Sequence, residues 1–302
     1  MLKVPRLSMF KKLLELGEQN KHVNQWKLVD TTKKMAFDIG KYFVVDKDTY
    51  QDKGIIIYDF NDGLLDKFVK DFLTPFRQSY ISDEDLESGL MNDVWDKRSE
   101  AIGEQIPTTP SLRSGEFSEI LLYFLSIHFN CPDANVAPLK WRWKENQDMA
   151  CHLSDIVLLK CADEKNPSED DYMYVVESKG RAKVLSYKDK TSVMNAGIDG
   201  ALKDYVSRAG KMVAYMRSKY NHDHQYALAK KVKRFGNSVD VDYKKSFSAA
   251  IVVDRASLKI HVANINPAKL VKAHAKGIAL IAVPIDDMRK VYNRMFNEVV
   301  NT

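Results

Sequence analysis

Apolar residues recur along this chain at two spacings. Leu64, Leu65, Phe68, Val69, Phe72, Leu73 and Phe76 fall at helical intervals and predict an amphipathic helix over 62–76. Just before them, GIIIYDF (54–60) is a β-branched and aromatic run that predicts a strand. Leu and Phe spacing over the first 19 residues predicts a further amphipathic helix. Residues 82–114 are polar and lead into IPTTPSLRSG, whose prolines, small residues and glycine place a break near residue 110. Beyond it, GEFSEILLYFLSIHF (115–129) predicts a helix, with Ser114 as N-cap and Glu116 in a first turn that favours a carboxylate. Strands are expected at 138–144 (PLKWRWK), 153–160 (LSDIVLLK) and 172–178 (YMYVVES), the last two joined by an acidic hairpin loop, ADEKNPSEDD. A long helical stretch covers 191–219. FSAAIVVD (247–254) and GIALIAVP (277–284) have the continuous apolar character of buried strands, and 286–299 closes with a helix. The expected fold class is α/β: one mixed sheet flanked by helices over 111–302, preceded by a mixed α/β region at 1–110.

Charge sharpens that division. Net charge is +5 over 302 residues, but residues 1–110 carry 16 Lys+Arg against 19 Asp+Glu, while residues 111–302 carry 30 against 22. The basic excess of the second part suits a polyanion such as nucleic acid, or is ordinary solubilising charge. Three cysteines without CxxC spacing argue for reduced thiols and a cytoplasmic setting, and against a zinc ribbon or disulfide scaffold. No stretch of 18 uncharged apolar residues occurs, so no membrane partner is expected. The GxGxxG, GxxxxGK[ST] and GxSxG patterns are absent, which removes dinucleotide, P-loop and serine-hydrolase readings.

The remaining chemistry lies between Asp155 and Lys179. Asp155 interrupts an apolar strand, and Glu177 and Lys179 close another, on the same side of it across Ser178. If the strands are neighbours, Asp155 meets Glu177. Two adjacent carboxylates invite a hard divalent cation such as Mg²⁺, which polarises a phosphoryl oxygen and acidifies water. Lys179 would orient that water and offset developing negative charge. The bland reading makes Asp155 a strand terminator and Glu177–Lys179 a surface pair.

An acid in an apolar strand, then ExK ending a second, with a glutamate-bearing helix before both, resembles the PD-(D/E)xK nuclease superfamily over residues 114–255. That resemblance implies a restriction-endonuclease-like fold. It also implies Asp155, Glu177 and Lys179 as catalytic residues and Mg²⁺, with Mn²⁺ as substitute, as cofactor. Some members begin the helix with glycine and carry glutamate four residues on, the spacing of Gly115 and Glu119. Glu119 is therefore the first choice to support the metal and Glu116 the second. Ser154 stands where the motif has proline. More narrowly, SGEFSEILLYFLSIHF, LKWRWKENQDMACHLSD and VVESKG are similar to the HamA family of the Hachiman anti-phage system. That likeness implies a DNA endonuclease of low sequence preference restrained by a superfamily 2 helicase, HamB, with the acidic region 1–110 as docking or regulatory part. A non-catalytic binding or assembly subunit and an RNase remain the rival readings.

Other residues have two readings each. Lys140, Arg142 and Lys144 alternate with Trp141 and Trp143, so a strand would aim three cations at phosphates or simply at solvent. Arg181 and Lys183, just past ExK, are the better candidates to contact the scissile strand of DNA. His152 is assigned a hydrogen-bonding or packing role rather than one near the site, His222 and His224 a solvated loop rather than a metal pair, and KKVKR (230–234) either DNA or partner contact or solvent.

Overall fold

The computed structural model describes residues 37–151, 153–236 and 242–302, plus a short ribbon pairing Trp26–Lys27 with Lys34–Met35. The helix expected over the first 19 residues and His152 lie outside the described residues.

Six strands form one mixed sheet: β1 (Phe43–Asp46), β2 (Ile55–Phe60), β3 (Ile156–Lys160), β4 (Tyr172–Arg181), β5 (Lys244–Asp254) and β6 (Ala279–Ile285). Their spatial order is β1-β2-β6-β5-β4-β3. The central β2, β6, β5 and β4 run parallel, and the outer β1 and β3 are antiparallel to their neighbours. Parallel strands need crossovers that cover both faces, which is why β5 and β6 are continuous apolar runs. Alternate residues divide between two cores. Tyr174, Val176, Ala250, Val252, Ile281 and Val283 face α1 (Leu65–Gln78), α4 (Pro110–Phe129) and the C-terminal helix (Met288–Glu298). Met173, Val175, Ala249, Ile251, Leu280 and Ala282 face α5 (Val193–Lys203) and α6 (Ala209–His222).

The break expected near residue 110 does not separate two sheets. β1 and β2 extend the same sheet as β6, and Phe68, Phe72 and Phe76 share a core with Phe117, Leu121 and Phe296. Within the polar stretch that suggested a linker, α2 (Asp83–Met91) and α3 (Arg98–Gly103) form instead, and Ser82 Oγ caps the first of them at Asp85 N. Helix α4 begins at Pro110, one turn earlier than expected, so Ser114 is an interior residue and Glu116 is not in the first turn.

The strand expected at 138–144 is absent. Lys140–Trp143 form a 3₁₀ turn, and the three cations meet different partners. Lys140 and Trp141 are buried, Trp141 edge-on to Tyr123, while Trp143 packs on Tyr215 and Tyr220. Alternation of basic and aromatic residues imitated a strand because both kinds are anchored inside. The loop 162–171 does join β3 to β4 as a hairpin, and Arg234 pins it through Asp163 O, Asn166 O and Asp171. That guanidinium is an internal staple, whereas Lys230 and Lys233 of the same basic cluster are exposed.

Candidate active site

Strand β3 starts at Ile156, opposite Val176 of β4, so Asp155 stands just outside the strand, across from Glu177. It is not inside the strand as its apolar neighbours suggested. Its Oδ2 accepts the Ser178 N–H at 2.7 Å, a charge-assisted bond that fixes the carboxylate at the mouth between the two strands. Glu177 and Lys179 share the α5 face of β4. The Lys179 ammonium donates to Glu177 Oε1 at 2.5 Å and stands 3.9 Å from Asp155 Oδ2.

Glu119 arrives from the opposite face, on α4. Gly180 permits the approach: a Cβ there would stand 2.2 Å from Ser118 Oγ and 2.7 Å from Ser114 O. Lys140 links the two faces, with its ammonium 3.1 Å from Glu119 Oε2 and 3.8 Å from Asp155 Oδ1. Glu116, one turn earlier on α4, is buried in a separate pair with Lys144, 2.7 Å away. Glu119 therefore belongs to the Asp155 cluster and Glu116 does not. The ammoniums of Lys140 and Lys144 are both committed to carboxylates, and Arg142 donates to Gln78 O at 2.6 Å. All three cationic groups that a strand would have offered to DNA thus serve the interior. Of the pair after ExK, Arg181 donates to Thr191 Oγ1 at 3.3 Å and Lys183 is exposed.

Three participants were not singled out from the sequence as site residues. Ser154 Oγ donates to Asp204 Oδ1 at 2.7 Å, Arg208 Nε donates to the same oxygen at 2.9 Å, and the Arg208 fork reaches Glu177 Oε2. The residue in the motif's proline position thus carries a hydroxyl that holds a buried aspartate. Asp204 and Arg208 bound a π-helical turn, Asp204–Arg208, between α5 and α6. Such turns frequently mark functional sites, but the helical spacing of 191–219 conceals it.

Crowded, buried carboxylates shift one another. Burial, then the charge of Asp155, raises Glu177. Burial also dominates at Glu119, where Lys140 opposes the rise and Asp155 adds to it, leaving the carboxyl at about 7. At Lys179 burial would lower the ammonium, but Asp155 and Glu177 outweigh it and hold the group above its ordinary value. For Glu119 the folded value exceeds the ordinary 4.5, so the folded chain keeps a proton that the unfolded chain releases. This contribution to stability is full at acid pH and lost as pH rises through about 7. Thermal melts in EDTA should show it: Glu119→Gln flattens the decline in midpoint between about pH 5 and 7. Parallel curves for variant and wild type would contradict it.

Among the described residues no three carboxylate, imidazole or thiol groups stand close enough to cage an ion unaided. His222 and His224 are exposed, and His222 pairs with Asp223 at 3.0 Å. Cys131, Cys151 and Cys161 are free. Among the described residues no helix is long and apolar enough to cross a membrane.

The arrangement sets two carboxylates side by side beneath one lysine, a donor set that would need further ligands to hold a cation. No curated protein matches the chain. A family model described as HamA matches residues 38–299, so the chain belongs to the HamA family and is a component of the Hachiman defence.

Proposed function

We propose that this chain is a Mg²⁺-dependent DNA endonuclease, with Mn²⁺ as a substitute ion. The observation that supports it most is the meeting of Asp155, Glu177 and Lys179 at the open end of β3–β4, with Glu119 behind them. Two carboxylates suffice for Mg²⁺, which keeps several waters and takes phosphate oxygens. Asp155 and Glu177 would hold it, with Glu119 supporting. The fit is electrostatic: Glu177 is raised by burial and by Asp155, and a cation between the two relieves both effects. When bound, the ion supplies Lewis-acid polarisation of the phosphoryl oxygen and an acidified water.

The chain's own residues do the rest. Lys179 stays cationic at neutral pH, so it acts as a donor rather than a base. It orients the attacking oxygen and offsets charge growing on the phosphoryl group. Lys140 keeps Glu119 and Asp155 from repelling one another before a cation arrives. Arg181 and Lys183 continue from β4 and would meet the backbone of the scissile strand, a contact that carries no sequence information.

Regulation follows from toxicity. A nuclease of low sequence preference needs restraint, and we assign that role to a superfamily 2 helicase of the HamB kind docking on the acidic N-terminal part. Because β1 and β2 belong to the common sheet, charge reversals on that surface test docking, whereas deletion through residue 110 would also unfold the sheet.

Plasmid nicking with Mg²⁺ against EDTA tests the activity. Nicking is expected in the first and none in the second, and equal nicking would refute the metal dependence. One observation favours the rival of a binding scaffold: both Glu177 oxygens already carry cations. That reading expects DNA binding without nicking in Mg²⁺.

A further inference from the structure

Glu177 is neutralised from both sides. Lys179 holds Oε1 and Arg208 holds Oε2. Arg208 differs from the other site cations in its attachments. Its Nε is fixed to Asp204 Oδ1 at 2.9 Å, and Asp204 is itself buried and held by Ser154. One terminal nitrogen reaches Glu177 and Gly200 O, and the other makes no hydrogen bond among the described residues. The side chain keeps 27% exposure, so the guanidinium borders solvent on one side.

The charge balance gives that position a purpose. Glu119, Asp155, Glu177 and Asp204 face Lys140, Lys179 and Arg208, at most four negative charges against three positive ones. A divalent ion entering this cluster overshoots neutrality unless a resident cation withdraws or an anion arrives with it. Arg208 can do the first and a phosphodiester supplies the second. A planar fork suits both acceptors, because guanidinium pairs with carboxylate or with phosphate in the same geometry.

We propose that Arg208 is a substrate-operated gate. In the free protein it blocks Glu177 from a divalent cation, and on arrival of DNA its guanidinium exchanges Glu177 for the scissile phosphate. This inference rests on the nuclease reading and adds to it a coupling between metal and nucleic acid. The guanidinium touches the reacting group, so Arg208 is a catalytic residue as well as a block. The π turn places Asp204 and Arg208 one turn apart on one segment, and neither residue lies in the ExK region.

Mn²⁺ binding to the full chain, followed by electron paramagnetic resonance, tests the gate without relying on cleavage. Arg208→Gln should bind Mn²⁺ about tenfold more tightly than wild type when no DNA is present. A short duplex with non-cleavable phosphorothioate linkages should tighten Mn²⁺ binding to wild type by about tenfold. It should tighten it far less in Arg208→Gln, whose own affinity for the duplex in Ca²⁺ falls. The wild-type measurement with and without duplex needs no variant, so it decides even if Arg208→Gln folds poorly. Mn²⁺ affinity that is equal in wild type and Arg208→Gln, and indifferent to the duplex, would overturn the gate and leave the metal site standing. Mn²⁺ that binds neither protein, with or without duplex, would remove the cation reading and the gate with it.

Discussion

Lys179→Ala should fold normally and lose plasmid nicking by about two to three orders of magnitude, the expected effect of removing one preorganised donor from a reacting oxyanion. The two halves of that result have separate causes. The Lys179 ammonium is part-exposed and Glu177 keeps its second cation, Arg208, so no buried carboxylate is left without a partner. Surface-side loss of one member of such a network costs little stability. Catalytically the substitution removes the cation that faces both Asp155 and Glu177, and Lys140, buried on the far side of Asp155, cannot replace it. Glu177→Gln in the same assay keeps the side chain's shape but not its charge, and nicking should fall as far. Nicking by both variants at the wild-type rate would refute the residue assignment, whereas loss of nicking together with a collapsed thermal midpoint would show only misfolding.

The sequence exposed the sheet more readily than the parts between its strands. β2, β4, β5 and β6 announced themselves through short β-branched and apolar runs, the pattern of strands buried on both faces. The run 138–144 misled for the opposite reason. Its alternation of Lys, Trp, Arg and Trp has strand periodicity, but Lys140 is fixed by Glu119 and Asp155, contacts distant in sequence. β1 was missed as well: it is four residues long, at the sheet edge, with Val44 exposed, so its pattern is too short to register. At the site, Asp155, Glu177 and Lys179 stood out because charge in an apolar setting is unusual. Arg208 and Asp204 did not, because an Asp and an Arg four apart on a polar helix look like a surface pair. Only the fold shows that Asp204 is buried and that the Arg208 fork extends to β4.

Helix α5 supplies the second large effect, through a residue with no side chain. Gly200→Ala should reduce nicking about a hundredfold or more and lower stability by about 1–3 kcal/mol through overpacking. An alanine Cβ there would stand 2.2 Å from Glu177 Oε1, 2.3 Å from Cδ and 2.5 Å from Cγ. The carboxylate has no room to yield: it is 3% exposed and held by Lys179 and Arg208. Relief must therefore come from breaking one of those pairs or from moving α5 off the sheet, and either displaces the group proposed to hold the metal. The ordinary helical advantage of alanine over glycine, about 1 kcal/mol, works in the other direction and is the smaller quantity. Gly197→Ala separates the two contributions. It lies one turn earlier, over Ala249 and Lys179, and its Cβ would meet them at 3.6 and 3.9 Å, ordinary contact. That variant should gain up to about 1 kcal/mol of stability and keep its nicking activity. If Gly200→Ala nicked as well as Gly197→Ala, the position of Glu177 would not matter to the reaction, and its place in the site would be lost.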